Sequence, residues 1–262
     1  MESLILYKSP YDKTRVGRNC DGGYVICLLP EISCDGKPEP YDLIISGGIS
    51  DDISFEEAFI GRFCNTTGNQ TKCLAFDGTI SQMPATVFTD KILFHRRNLG
   101  NYESEEKNLT NLVKYMDGYS NIFMKIDIEG HEFRLFPELV KHNQMCKIKQ
   151  LVLEIHTPAD IQLFPDYFAG LSDIDNTFMF ALLNDINKTH TLVHFHGNNG
   201  CKTQVIDGIK VPHVFECTYI RNDYFEGKEK EKNTETLPSH LDRCNVRHMP
   251  DFAIDYYPFC CK

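Results

Sequence analysis

The sequence predicts an α/β fold built on a mostly parallel sheet, and three observations predict it. Apolar runs such as residues 43–46 (LIIS), 73–76 (CLAF) and 151–155 (LVLEI) are nearly continuous, as strands buried on both faces are. Segments with apolar residues at helical spacing separate them. The runs close on glycine or charged residues, and in open α/β sheets ligands bind beyond the carboxyl ends of the strands.

Residues 1–40 read as an N-terminal extension. Asp21-Gly22-Gly23 is a tight-turn signal and residues 24–29 (YVICLL) follow as a strand-like run. Gly36, Pro38 and Pro40 mark a connector. The core is expected over residues 41–221. Its first strand, 43–46, ends in Gly47-Gly48. Ser54-Phe55-Glu56-Glu57 has the form of a capping box, with Ile53 and Ala58 as its staple, and Phe55, Ala58, Phe59 and Phe63 share one helical face. Residues 73–76 form the second strand, closed by Asp77-Gly78, and residues 92–94 the third. Leu109, Leu112, Val113 and Met116 predict a helix. Strands are expected over residues 121–128, 151–155, 191–195 and 214–220, with a helix carrying Leu182, Leu183 and Ile186 between them. Residues 222–262 make up a charged, solvated loop (226–235, EGKEKEKNTE) and an extended tail. The whole, 1–262, is expected to be a single domain without internal repeats.

With 262 residues the chain is long enough for a sizeable core. A net charge of −10 opposes binding to phosphate backbones, so nucleic acid is not expected as a partner; the best basic patch, His95-Arg96-Arg97, is short. No run approaches the ~20 apolar residues of a membrane helix, and Leu4-Ile5-Leu6-Tyr7 is too short for a signal-peptide core. A cytoplasmic protein without a membrane partner is expected. The eleven cysteines include no CxxC pair and several, such as Cys27, Cys73 and Cys217, lie in apolar runs, so they read as reduced thiols. The N-x-T sequons at Asn65, Asn69, Asn108 and Asn187 then read as chance matches.

Ser46-Gly47-Gly48-Ile49-Ser50-Asp51-Asp52 joins the first strand to the capped helix. Glycines let a backbone approach a ligand closely, and a helix N-terminus favours an anionic group. The full G-x-G-x-x-G is absent, and taken alone the segment is equally an ordinary strand-to-helix turn. Asp77, at the end of the next strand, is where an acidic residue accepts hydrogen bonds from ribose hydroxyls. Two adenosine cofactors compete. NAD needs room for a pyrophosphate and usually the fuller glycine fingerprint, whereas the Ser- and Asp-rich loop suits the amino-acid end of S-adenosylmethionine better.

Asp21-Gly22-Gly23-Tyr24-Val25, Ser46-Gly47-Gly48 with Phe55-Glu56, and Asp127-Ile128-Glu129-Gly130-His131-Glu132 together resemble the FkbM-type methyltransferases, class I enzymes that use S-adenosylmethionine. The DIEGxE block is that family's most recognisable motif, and His196-Gly197-Asn198-Asn199 resembles its H-x-N-N block; the match spans residues 15–260. The resemblance implies a seven-stranded Rossmann-like sheet with its last strand antiparallel. It also implies O-methylation of a hydroxyl on a sugar, a glycan or another small molecule. Carried over by residue, it implies that Ser46, Gly47, Gly48 and Ser54 line the methionine end of the cofactor and that Asp77 holds the ribose. Gly78 with Arg97 or Asn98 would border the adenine, and Gly23 and Tyr24 would close the pocket. The first loop departs from the G-x-G usual in class I enzymes, which leaves the role of each glycine open.

An aliphatic hydroxyl is a poor nucleophile at neutral pH, so its proton must leave as the methyl arrives. A positioned base or a divalent cation arranges this. Acids and histidines cluster at three strand ends: Asp127 and Glu129, Glu154 and His156, His194 and His196. Each has a plain reading as a cap, a buried structural acid or a satisfied rim histidine. The functional expectation is that Asp127, Glu154 and His196 face one pocket, with Glu129 and His156 in support, and that the first three are the ligands if Mg²⁺ or Mn²⁺ takes part. His240, Asp242, Cys244 and His248 match no standard zinc spacing. A Rossmann-type NAD oxidoreductase and a non-catalytic cofactor-binding protein are the competing readings.

Overall fold

The computed structural model describes residues 2–31, 39–64 and 70–262. Cys34, Gly36, Pro38, Asn65 and Asn69 lie outside the described residues. An antiparallel hairpin of β1 (Lys13–Val16) and β2 (Tyr24–Cys27) comes first. Then follow β3 (Leu43–Gly47), α1 (Ser54–Phe59), β4 (Lys72–Phe76), β5 (Ile92–His95) and a small parallel pair, β6 (Asn98–Gly100) and β7 (Leu109–Asn111). β8 (Ile122–Ile126), α2 (Glu132–Lys141), β9 (Ile148–His156), α3 (Pro158–Leu163), α4 (Asn176–Asn187) and β10 (His190–Gly197) come next. A hairpin of β11 (Thr203–Ile206) and β12 (Ile209–Pro212) leads to β13 (Val214–Arg221).

Seven strands form the central sheet in the order β10-β13-β9-β8-β3-β4-β5. β5, β4, β3, β8 and β9 are parallel neighbours, and β13 runs antiparallel to both β9 and β10. β10 therefore points with the parallel set and only the last strand is reversed, as the resemblance implied. Local chemistry explains the reversal. The link over residues 198–213 is taken up by the β11–β12 hairpin and does not cross back along the sheet, so the chain re-enters beside β10 in the antiparallel sense, whereas a parallel neighbour needs a crossover such as α4.

Period-two alternation sends residues to both faces. Leu43, Ile45, Met124 and Ile126 pack under Leu135 and Leu139 of α2 and Leu182 and Leu183 of α4. Ile44, Ala75 and Phe123 pack against Phe55 and Phe59 of α1 and Tyr24 and Ile26 of the hairpin. Burial on both faces made these strands nearly continuous apolar runs in the sequence.

Several expectations are corrected. Ser54 is the first helical residue and Ile53 the cap, with no side-chain cap bond; instead the Asp52 carboxylate accepts from the Ser54 amide and hydroxyl, both at 3.0 Å. The helix expected at residues 109–116 is β7 followed by a 3-10 turn, Leu112–Tyr115, started by Asn111 Oδ1 accepting from the Val113 amide. Its apolar spacing serves a turn that buries Leu112 and Met116. α2 was not expected: Pro137 sits inside it, removing one backbone donor, yet its apolar face is buried. The tail carries no regular element beyond the isolated bridge Leu237–Ile254, as expected. The charged segment before it is pinned at one end by the bridge between Tyr7 and Lys232. No helix among the described residues is long and apolar enough to cross a membrane.

Candidate functional site

From β3 the chain moves outward to β4 and β5, then returns to β8 on the other side of β3, so the strand order reverses there. A crevice opens beyond the carboxyl ends of β3 and β8, where that reversal favours one. It holds about 680 Å³, a volume typical of small-molecule sites, and its walls include Gly48, Asp77, Asn98, Asp127, Glu129 and His131. A smaller lobe of about 140 Å³ shares Gly48, Ser50 and Asp127 with it and adds Arg18, Asp21, Asp52 and Lys125.

The loop leaving β3 is fixed by close packing. Gly48 has φ +74°, and a Cβ there would stand 1.6 Å from the Asp127 carbonyl oxygen. A Cβ on Gly47 would meet Leu99 Cδ1 at 2.7 Å. Gly48 is thus required by the protein's own backbone, whatever the crevice holds, whereas Gly47 is crowded only by the side chains of Leu99, Ile126 and Ile128. Lys125 Nζ donates to the Gly48 carbonyl at 2.5 Å. Ser46 is fully buried behind the loop and its hydroxyl donates to Glu56, so it does not reach the crevice wall. Ser54 borders the small lobe only through Asp52, which also pairs with Arg18 at 2.8 Å. Gly23 is packed against the Arg18 carbonyl, where a Cβ would come within 2.0 Å. Tyr24 is buried, and its hydroxyl donates to Asp127 Oδ2 at 2.7 Å.

Asp77 lines the large lobe and is fully engaged. Oδ2 accepts from the amides of Ile49 (3.2 Å) and Ser50 (2.8 Å), and Oδ1 from the Thr79 amide (2.8 Å) and hydroxyl (2.6 Å). Burial pushes its pKa up, but those donors outweigh it and hold the carboxyl below its usual range. Asn98 Oδ1 accepts from the Gly78 amide at 3.0 Å, and Arg97, also on the wall, pairs with Glu105.

The acids and histidines lie in one row across the sheet edge. His196 is the ladder partner of Glu216, and Glu216 of Glu154. Asp127, Gly48 and Asp77 continue the row, one residue past the paired Ile126, Gly47 and Phe76. The expected common pocket for Asp127, Glu154 and His196 is not formed. β13 inserts between β9 and β10, so Glu216 separates His196 from Glu154. His196 sits 3.4 Å from Glu216 Oε2 and 2.9 Å from Asp251 Oδ2 of the tail. Burial works against its charged form, but those two acids prevail and raise its pKa well above the usual value. Glu154 is buried, and desolvation with the nearby Asp127 charge lifts its pKa strongly. The acidic groups gather instead as two sets, Asp127 with Glu129 and His156, and Asp21 with Glu154 and Glu216.

His156 stands among acids: Nδ1 is 2.9 Å from Asp160 Oδ2, and Nε2 is 3.2 Å from Glu129 Oε2 and 3.5 Å from Glu154 Oε2. Burial lowers its pKa, and the carboxylates of Asp160 and Glu154 beside it more than reverse that, to about 11.

No family model and no curated protein matches the chain. Among solved structures, a cyclopropane-fatty-acyl-phospholipid synthase-like protein from Lactobacillus casei is similar at 9% identity, with a TM-score of 0.37, over 69% of this chain and 85% of that one.

The sequence reading missed His131 and Glu216. His131 lies on the crevice wall one residue past Gly130, and burial, with Arg134 nearby, lowers its pKa, keeping the ring neutral at pH 7. Its place in the Asp127–Glu132 block was the available signal. Glu216 carried none: inside the apolar run 214–220 it looked like any strand residue.

Proposed function

We propose that the chain transfers a methyl group from S-adenosylmethionine to a hydroxyl of a sugar, glycan or other small molecule. The observation that carries this reading is the two-lobed crevice at the point where the strand order reverses. The large lobe is of nucleoside size, with Asp77 where an acidic residue meets ribose. Of its present partners, the Thr79 hydroxyl is the one that rotates away when a ribose hydroxyl arrives. The small lobe presents Arg18 and Asp52 side by side, opposite charges that suit the carboxylate and ammonium of an amino acid. Asp127 lines both lobes, so a carboxylate stands where a cationic sulfonium joins the two ends. A pyrophosphate would meet Asp21, Asp52, Asp77 and Asp127, which disfavours NAD. The DIEGxE block and the sequence resemblance to FkbM-type enzymes support the same reading.

Bound S-adenosylmethionine supplies an electrophilic methyl. The chain's own residues must orient the acceptor and take its proton. Glu129 and His131 are the proton-accepting groups on the large lobe apart from Asp77 and Asp127, and the hydroxyl proton passes to one of them. Tyr167, 66% exposed on the same wall, offers a ring to the apolar face of a sugar. Calorimetry with S-adenosylhomocysteine and with NAD tests the cofactor, and labelled methyl transfer to a panel of glycans and small hydroxyl compounds tests the reaction. Binding of NAD without S-adenosylhomocysteine overturns the reading.

A further inference from the structure

We propose that Asp127, Glu129 and His156 form a divalent-cation site on the floor of the crevice. Their donor atoms lie within 4.8 Å of one another. The 3.2 Å between His156 Nε2 and Glu129 Oε2 is close to the ~3 Å that separates neighbouring ligands of a small octahedral cation. The sequence pointed to a different set, Asp127 with Glu154 and His196, which the insertion of β13 takes apart.

The observation beyond the acids themselves is the imidazole. His156 is 8% exposed, and its buried Nε2 has no hydrogen-bond partner among the described residues. Glu129 and Glu154 are near it, but neither has hydrogen-bond geometry. A buried ring nitrogen that lacks a hydrogen bond and is held only by charge between two carboxylates is where an ion would take the place of the ring proton, so cation binding releases that proton. Each ligand also has an outer partner of the kind that orients metal ligands. Asp160 holds His156 Nδ1 at 2.9 Å. Tyr24 occupies Asp127 Oδ2, and Oδ1 has no hydrogen bond among the described residues. Tyr167 stands beside Glu129 on the crevice wall and favours its ionised form.

Two carboxylates and one imidazole favour Mn²⁺ or Mg²⁺ over thiol-seeking metals. Asp127 and Glu129 face the crevice while His156 backs them, so the open positions point to where a ligand would lie. An ion there would hold an acceptor oxygen and make its proton easier to lose. The second acidic set is a weaker candidate, because the Asn245 amide already donates to Asp21 at 3.0 Å and Glu216 at 2.7 Å.

The test uses metal-free protein without cofactor or acceptor, so its outcome is separate from that of the methyl-transfer reading. MnCl₂ is titrated in by calorimetry and followed by electron paramagnetic resonance. One Mn²⁺ per chain is expected. Glu129→Gln, half exposed and therefore tolerated by the fold, should weaken binding more than 10-fold. Asp160→Asn, which alters only the outer partner, should weaken it about 10- to 100-fold. Absence of Mn²⁺ binding, an affinity unchanged in Glu129→Gln, or a loss confined to Glu216→Gln would each overturn the assignment.

Discussion

The Tyr24 hydroxyl donates to Asp127 Oδ2 at 2.7 Å and ties the N-terminal hairpin to the end of β8, 103 positions away. The phenol is buried, edge-on to Phe55, while Asp127 reaches the crevice wall, so the bond is shielded from water on the tyrosine side. Tyr24→Phe keeps the ring packing and removes only the donor. It should lower the unfolding free energy by about 1.5–3 kcal/mol, the range for a hydrogen bond to a charged group. Urea denaturation measures this. An unchanged midpoint would mean that Asp127 is served equally well by water.

The seven sheet strands were legible because burial leaves mostly apolar residues between their ends, with polar exceptions such as Lys125, Gln150 and Glu216 too few to break the runs. Asp77 and Asp127 were legible as the first polar residues after such runs. The expected helix at Leu109 and Leu112 failed because its spacing fits a strand and one tight turn as well as a helix. The partners of His196 were not legible at all. Glu216 becomes its neighbour only because β13 inserts antiparallel, and Asp251 only because the tail folds back over β10. Neither pairing leaves a local pattern. Gly48 of the first loop was legible as a close approach, but the approaching group is the Asp127 carbonyl just past β8.

Asp77 holds the loop amides of Ile49 and Ser50 and also faces the large lobe. Asp77→Ala should therefore weaken S-adenosylhomocysteine binding at least 10-fold, through the lost ribose contact and the released loop. Asp77→Asn retains an acceptor oxygen and should weaken it less. Calorimetry on both variants, with melting curves as the control for folding, makes the comparison. Equal and unchanged affinities would remove Asp77 from the site.

Glu129 and His131 line the crevice, whereas His196 is locked between Glu216 and Asp251. Glu129→Gln and His131→Asn should be tested singly. One of them is expected to lower turnover by about 10²–10⁴, the usual contribution of a general base, with little change in cofactor affinity. His196→Gln should instead lower stability by about 3–5 kcal/mol, because it leaves buried carboxylates without their counter-charge. A His196 variant that folds normally yet loses turnover would reverse this division of roles.

His190 gives the fold a pH dependence of its own. The ring is buried, with Nε2 2.9 Å from the Ile148 carbonyl and Nδ1 2.8 Å from the Thr189 hydroxyl. Burial lowers its pKa from 6.5 to about 4. The unfolded chain then takes up a proton at higher pH than the folded one, so this contribution to stability is present above pH 6.5. It is lost as pH falls toward 4, to a total of about 3 kcal/mol. Other groups titrate in the same window, so the measurement is a difference. Unfolding free energies of the wild type and of His190→Gln, whose amide can still donate to Ile148, should converge as pH drops from 7.5 to 4.5. A gap that stays constant across that range would show that His190 does not titrate differently in the two states.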